Sequence, residues 1–310
     1  MPAPILVSVY TRLQLLEQCI ASLKLNALSR ESDLYIVSDA ASSERDRAKV
    51  EAVRAYIARV DGFKSITTIN RPANLGFFLS INQAVDTVIE QYGRVIFLED
   101  DNWVAPNFLQ FVNDGLDFYQ EDQSVFSISG YNFPIRMPSA YQKDVYKWQG
   151  FTAWGVGLWR DRWQTIDWSG AALRAALADK RKVQAINRVA EHIVPNARAS
   201  LQKNQLVTDV ILSVDVINTN RYSIFPVVSK VRNLGTDGAG AHGGRKDVYG
   251  VQPIDTGGPY QFVQGLQPDK AINRALRLHY QTPLKSRVIS VMSRFIPSRQ
   301  KQWLIKRLYS

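Results

Sequence analysis

The first hundred residues repeat one unit: a short apolar run, then a helical stripe of apolar positions. Residues 5–10, ILVSVY, are apolar and β-branched, the pattern of a buried strand, and Leu16, Ile20 and Leu23 follow at three- and four-residue spacing. LYIVS (34–38) predicts a second strand ending at Asp39, and the next amphipathic helix carries Val50, Val53, Ile57 and Val60 on one face. ITTI (66–69) predicts a third strand, Phe77, Ile81, Ala84, Val85 and Val88 mark a third helix, and VIFL (95–98) predicts a fourth strand. Strands alternating with amphipathic helices predict an α/β fold, a mostly parallel sheet flanked by helices on both faces. In such sheets ligands bind beyond the carboxyl ends of the strands. Tyr10-Thr11-Arg12, Asp39, Asn74-Leu75-Gly76 and Glu99-Asp100-Asp101 all fall there, and so are expected to converge on one edge.

The second half changes texture. SVFSISGYNF (124–133) predicts a strand, FTAWGVGLWRDRW (151–163) is rich in Trp and Gly, and residues 171–204 form a basic helical stretch broken near Pro195. YSIFPVV (222–228) is strand-like and leads into the glycine-rich VRNLGTDGAGAHGG (231–244). Past about residue 250 the chain looks irregular until a basic tail. The expected division is a domain over 1–250 and a C-terminal extension over 251–310.

Composition narrows the field. The 310 residues are 45% hydrophobic, enough for a sizeable core, and no solenoid-length repeat or low-complexity stretch is present. The net charge of +10 is lopsided: residues 269–310 hold ten Lys/Arg against Asp269 alone, leaving the rest nearly neutral. A nucleic-acid-binding body is excluded on that ground. Cys19, the only cysteine, excludes a disulfide framework and falls in an apolar helical pattern. MPAPILVSVYTR lacks the basic region and long apolar stretch of a signal peptide, and no run reaches the roughly 18 apolar residues of a membrane span. A soluble protein of a reducing compartment, the cytoplasm, is expected.

The chemistry gathers at VIFLEDDNWVAPNFL (95–109). Three adjacent carboxylates repel and are costly to desolvate, so a positive charge must offset them. The cluster suits a divalent cation, Mg²⁺ or Mn²⁺, held by one or two carboxylates and substrate phosphates. It also suits an acidic turn or the first turn of a helix starting within Asn102–Pro106.

The run of strand, Glu-Asp-Asp, two residues, Val-Ala-Pro and helix resembles the acidic motif of inverting glycosyltransferases of the GT-A fold. Within them it is closest to the Golgi alpha-mannoside beta-1,2-N-acetylglucosaminyltransferases and, more loosely, to bacterial polysaccharide glycosyltransferases. ILVSVYTR, IVSDAAS and FTAWGVGLWRDRW resemble further segments of that family in the same order, over roughly residues 4–245. The resemblance implies a nucleotide-binding half over 1–123 and an acceptor half over 124–250. It implies metal binding by Asp101, a ribose or water-mediated metal contact for Asp100, and a donor-sugar contact for Glu99. Tyr10 and Arg12 would belong to the nucleotide-contacting turn with Arg12 on the diphosphate, Asp39 would meet the base, and Asn74 and Gly76 would line the donor site.

An inverting transfer needs a base for the acceptor hydroxyl. Asp209, where the family keeps its catalytic Asp, is the candidate; it also suits a cap of the helix VILSVDVI, and Asp215 is its rival. His242 suits a metal or diphosphate contact, as in several GT-A enzymes, or an exposed loop. Among the clustered tryptophans, Trp154 is expected to face a sugar, Trp159 and Trp163 the core. In LKSRVISVMSRFI (284–296) a basic amphipathic helix with interfacial aromatics beyond it suits an anionic membrane surface or packing on the body.

The function expected is metal-dependent inverting transfer of a sugar from a nucleotide-diphosphate donor, UDP-linked, to a glycan or lipid-linked acceptor in surface polysaccharide synthesis, at the inner face of the cytoplasmic membrane. The alternatives are a nucleotidyltransferase of related fold and an inactive membrane-associated carbohydrate-binding protein.

Overall fold

A computed structural model describes residues 1–235 and 251–281. Strands β1 (Ile5–Val9), β2 (Asp33–Ser38), β3 (Ser65–Asn70) and β4 (Arg94–Glu99) lie parallel in the order β3-β2-β1-β4, with α1 (Leu13–Lys24), α2 (Glu44–Ile57) and α3 (Gly76–Tyr92) as crossovers. Every residue of β1 is buried, as a central strand covered on both faces requires, whereas edge strand β3 is largely exposed. The predicted stripes face the sheet: Leu16, Cys19, Ile20 and Leu23 on α1, and Ile81, Ala84, Val85, Val88 and Ile89 on α3. Gly93 ends α3 in the left-handed region (φ +75°), its N–H donating to the Ile89 carbonyl at 2.8 Å.

The register fixes the functional edge. Ser8 pairs with Glu99 and Val9 with Ser38, so Tyr10, Asp39 and Asp100 leave adjacent strands at one end of the sheet.

The remaining elements are β5 (Asn102–Val104), α4 (Phe108–Phe118), β6 (Val125–Ser129), β7 (Val145–Trp148), β8 (Val156–Trp159), α5 (Arg160–Trp163), α6 (Ala171–Ala178), α7 (Lys180–Val189), α8 (Ile193–Gln202), α9 (Thr208–Asn218), β9 (Tyr222–Pro226), β10 (Val231–Asn233) and α10 (Lys270–His279). The sheet continues through them as β4-β8-β6-β9-β7, so it is mixed: β8 runs antiparallel between β4 and β6. A separate antiparallel ribbon pairs β10 with β5, Asn233 opposite Asn102.

Two contacts weld β8 in place. Gly157 lies under α4, where an added Cβ would come within 2.6 Å of Val112. The fully buried Arg162 donates to the carbonyls of Val125 (2.8 Å) and Gln120 (2.6 Å), with its guanidinium 4.0 Å from the Trp159 ring.

Residues 251–281 pack back on this body. Tyr260 and Phe262 meet the Phe111 ring at 5.0 and 5.1 Å, and Lys230 pairs with Asp255. α10 buries Ile272 and Leu276. No helix among the described residues is long and apolar enough to cross a membrane.

Several local expectations are corrected. Asn102 does not open a helix: residues 102–104 pair as β5, and α4 begins at Phe108. The basic helical stretch is broken twice, at Asp179 and at residues 190–192, and Pro195 sits in the first turn of α8, where the missing N–H costs little. The strand within 124–133 ends at Ser129, and VYKW (145–148) and VGLW (156–159) are strands that periodicity did not reveal.

Candidate active site

The carboxylates at the end of β4 are answered by Arg12. Asp100 and Asp101 are almost fully buried, and one guanidinium spans both. Arg12 Nη2 pairs with Asp100 Oδ1, Nε donates to Asp100 Oδ2 at 3.2 Å, and Nη1 lies 2.9 Å from Asp101 Oδ2. Burial pushes the Asp100 carboxyl up to about 6, against the pull of Arg12, which lowers it. Glu99 lies well above the usual carboxylate range, first from burial and then from the charges of Asp101, Asp209 and Asp100.

Side chains distant in sequence hold Asp101. Its Oδ1 accepts from Asn102 Nδ2 (2.9 Å) and Asn233 Nδ2 (2.8 Å), and its carbonyl accepts from the Leu234 N–H at 2.8 Å. The β5–β10 ribbon brings Asn233 there. Gly235 follows, its N–H donating to Asn233 Oδ1 at 2.9 Å; a Cβ on it would fall 2.3 Å from Asp101 Oδ2. Asn102, Asn233 and Gly235 were not singled out as site residues in the sequence.

Asp209 approaches from the other half. It lies in the first turn of α9, whose cap position is Val207, so it does not cap the helix. It is half-buried on the wall of a small apolar cavity with Phe77, Ile81, Phe151, Val156 and Leu212, and the backbone N–H of Ala153 donates to it. Burial pushes its carboxyl up to about 6, with the Ala153 bond holding it lower than burial alone would. Its charge acts on Glu99, so the base candidate and the acid cluster share one electrostatic neighbourhood. Its rival Asp215 is paired with Arg221 at 2.5 Å.

The other sequence candidates divide. Both oxygens of Asp39 are engaged by backbone: Oδ1 accepts from the N–H of Ala40 (2.9 Å) and Leu75 (3.0 Å), Oδ2 from Gly76 (2.9 Å). Asp39 thus anchors the start of α3, a positioning task that its expected base contact did not include. Asn74 Nδ2 donates to the Ala40 carbonyl at 2.6 Å, binding the same loop to β2. Gly76 is required for its φ of +75°, not for close approach: an added Cβ would meet nothing within 4 Å. The Tyr10 hydroxyl accepts from the Ser42 N–H (2.8 Å) and donates to Asp46 Oδ2 (3.0 Å), fixing the turn after β1. Trp154 is partly buried, edge-on to Tyr131 at 4.8 Å; Trp159 and Trp163 are core residues as expected, Trp159 closing β8 rather than lying on the helix. His242 and the 284–296 segment lie outside the described residues.

A divalent metal fits this donor set in one mode only. Among the described residues no three His, Cys, Asp or Glu side chains form a group able to hold an ion. Asp100 and Asp101 offer adjacent buried carboxylates with a single guanidinium between them, which suits an ion taking its other ligands from substrate oxygens and water.

Residues 5–157 match glycosyl transferase family 2, just under half of the chain and the part that carries β1 to the middle of β8. No curated protein matches the chain. Three solved structures are similar at low identity. One is a mannosyltransferase from Pyrobaculum calidifontis in complex with GDP-Man and Mn²⁺ (15% identity, TM-score 0.39, 70% of this chain and 71% of that one). Another is S. aureus TarS (14%, TM-score 0.36, 50% of this chain and 28% of that one). A third is GalNAc-T7 with UDP, GalNAc and Mn²⁺ (9%, TM-score 0.44, 73% and 42%). The chain thus spans well under half the length of the last two. None of these comparisons supports the narrower likeness to the Golgi enzymes.

Proposed function

We propose that this chain is a glycosyltransferase of family 2, whose model matches residues 5–157, and that it carries out metal-dependent inverting transfer from a nucleotide-diphosphate sugar, UDP-linked. The observation that carries the reading is the meeting of Asp209 with the acid cluster. Asp209 of α9 lies close enough to the end of β4 for its charge to raise the Glu99 carboxyl, and Arg12 spans the adjoining Asp100 and Asp101.

Asp209 is suited to a general base. A carboxyl with a value of about 6 is ionised at neutral pH yet more basic than an ordinary aspartate, which aids proton transfer from a hydroxyl. The acceptor oxygen would lose its proton to Asp209 as it bonds to the anomeric carbon. The bond from that carbon to the diphosphate oxygen breaks on the opposite face, and the nucleoside diphosphate leaves. Asp101, supported by Asp100, would hold Mn²⁺ or Mg²⁺, which supplies a positive charge for the departing diphosphate. Arg12, beside the same carboxylates, would contact the diphosphate. Asp39, Asn74 and Tyr10 hold the two loops that frame the donor.

The acceptor we infer is a glycan or a lipid-linked oligosaccharide of a surface polysaccharide. The basic tail would attach the enzyme to the inner face of the cytoplasmic membrane, near such an acceptor.

A thermal-shift series with nucleoside diphosphates and nucleotide sugars, with and without Mn²⁺, tests the reading. UDP and a UDP-sugar should raise the melting temperature only with Mn²⁺, and Asp101→Ala should erase that gain. No gain with any nucleotide, or an Asp101→Ala protein responding like the parent, overturns it.

A further inference from the structure

We propose that the surface cleft between α7, α8 and α10, away from the carboxylate site, binds a phosphoryl anion. The cleft encloses about 560 Å³ and is lined by Arg188 of α7, Arg198 of α8 and Arg277 of α10. Gln184 and Asn187 add side-chain amides, and Glu191 is its one acid. Three arginines from three separate helices therefore face one volume with a single carboxylate among them. Among the described residues none of the three has a hydrogen-bond or ion-pair partner.

Helix ends account for part of this arrangement. Arg188 and Arg277 occupy the last turns of α7 and α10, where cations favour the helix dipole. That explains each alone, but not why both point into the volume that Arg198, from neither terminus-favoured position, also enters. The first turn of α8 also borders the cleft, but the Ile193 N–H is taken by the Ala190 carbonyl (3.4 Å) and Pro195 has none, so the positive charge there comes from the arginines. The receptor for phosphate oxygens is therefore the three guanidinium forks.

The ligand chemistry is a mono- or diphosphate group, carried by a soluble phosphorylated molecule or by an anionic lipid headgroup. The proposal stands independently of the donor site and of the base.

Pyrophosphate titrated calorimetrically into the full chain at low ionic strength tests it, against a variant carrying Arg188→Gln, Arg198→Gln and Arg277→Gln. All three arginines are exposed, so the variant should fold. It should bind pyrophosphate roughly tenfold more weakly, each charge-assisted pair being the stronger class of hydrogen bond. Arg198→Gln alone should weaken it about threefold, which keeps the test open if the triple variant misfolds. Co-sedimentation with phosphatidylglycerol and with phosphatidylcholine vesicles separates the sources. Loss of phosphatidylglycerol binding in the variant assigns a lipid headgroup; loss of pyrophosphate binding alone assigns a soluble phosphate. Unchanged affinity for both pyrophosphate and phosphatidylglycerol overturns the proposal.

Discussion

Asp100 and Asp209 both stand at about 6, and the agreement hides opposite constructions. Asp100 sits in a network: buried, beside Asp101, and held down by the Arg12 guanidinium. Asp209 sits on an apolar wall with one backbone N–H for company. Burial lifts both, but only Asp100 has a cation to lose. The first environment balances buried carboxylates with a cation; the second leaves a carboxylate against apolar side chains. Perturbed groups therefore need to be compared by the cause of the shift rather than by its size.

The comparison breaks most sharply at Asp209→Asn. Transfer should fall by roughly a thousandfold, the scale of a lost general base, while the Mn²⁺-dependent thermal gain with UDP persists. Unchanged turnover would remove Asp209 from its role. In the parent, turnover should decline as pH falls through about 6, because protonated Asp209 cannot accept the acceptor proton. The neighbouring Glu99 carboxylate, whose charge acts on the same crevice, is the group that would broaden that profile.

Stability separates the two sites next. Arg12→Gln removes the guanidinium that spans the buried Asp100 and Asp101 and should cost about 3 kcal/mol, read by chemical denaturation at pH 7. Mn²⁺ should restore much of it; a protein as stable as the parent would show that the ion pair does not hold the site together. Asp209→Asn should move the other way. A carboxyl raised from 3.8 to about 6 in the folded protein is most favourable below pH 4, and its contribution is lost as pH rises through 6. The neutral amide escapes that loss, so the variant should gain on the order of 1 kcal/mol at pH 7 and nothing at pH 4.

The smallest expected effect is at Gly235→Ala. The new methyl would press on Asp101 Oδ2, so UDP with Mn²⁺ should bind a few-fold more weakly, with the fold intact. Equal binding would show that the chain at 235 yields freely.

The first half was largely legible from periodicity because its strands and helices are local: each run of ILVSV, LYIVS or VIFL is followed by its own covering helix. The convergence of Tyr10, Asp39 and Asp100 followed from strand order alone. The second half was not, because β7 and β8 are four residues each and gain their place from partners far along the chain. Likewise VIFLEDD displays three carboxylates, but nothing in it shows that Arg12 bridges two of them. Nothing in VRNLG announces that Asn233 reaches Asp101. The structural duty of Asp39 was hidden for the same reason, since its partners are backbone N–H groups of another loop.

The antiparallel strand β8 has a mechanical consequence. Because it is hydrogen-bonded to β4 on one side and β6 on the other, and pinned by Arg162, no seam runs through the sheet along which the two halves can swing apart. Whatever movement opens the edge where Tyr10, Asp39 and Asp100 lie must therefore come from side chains and loops at the rim, and the separation of Asp209 from the end of β4 is set when the chain folds.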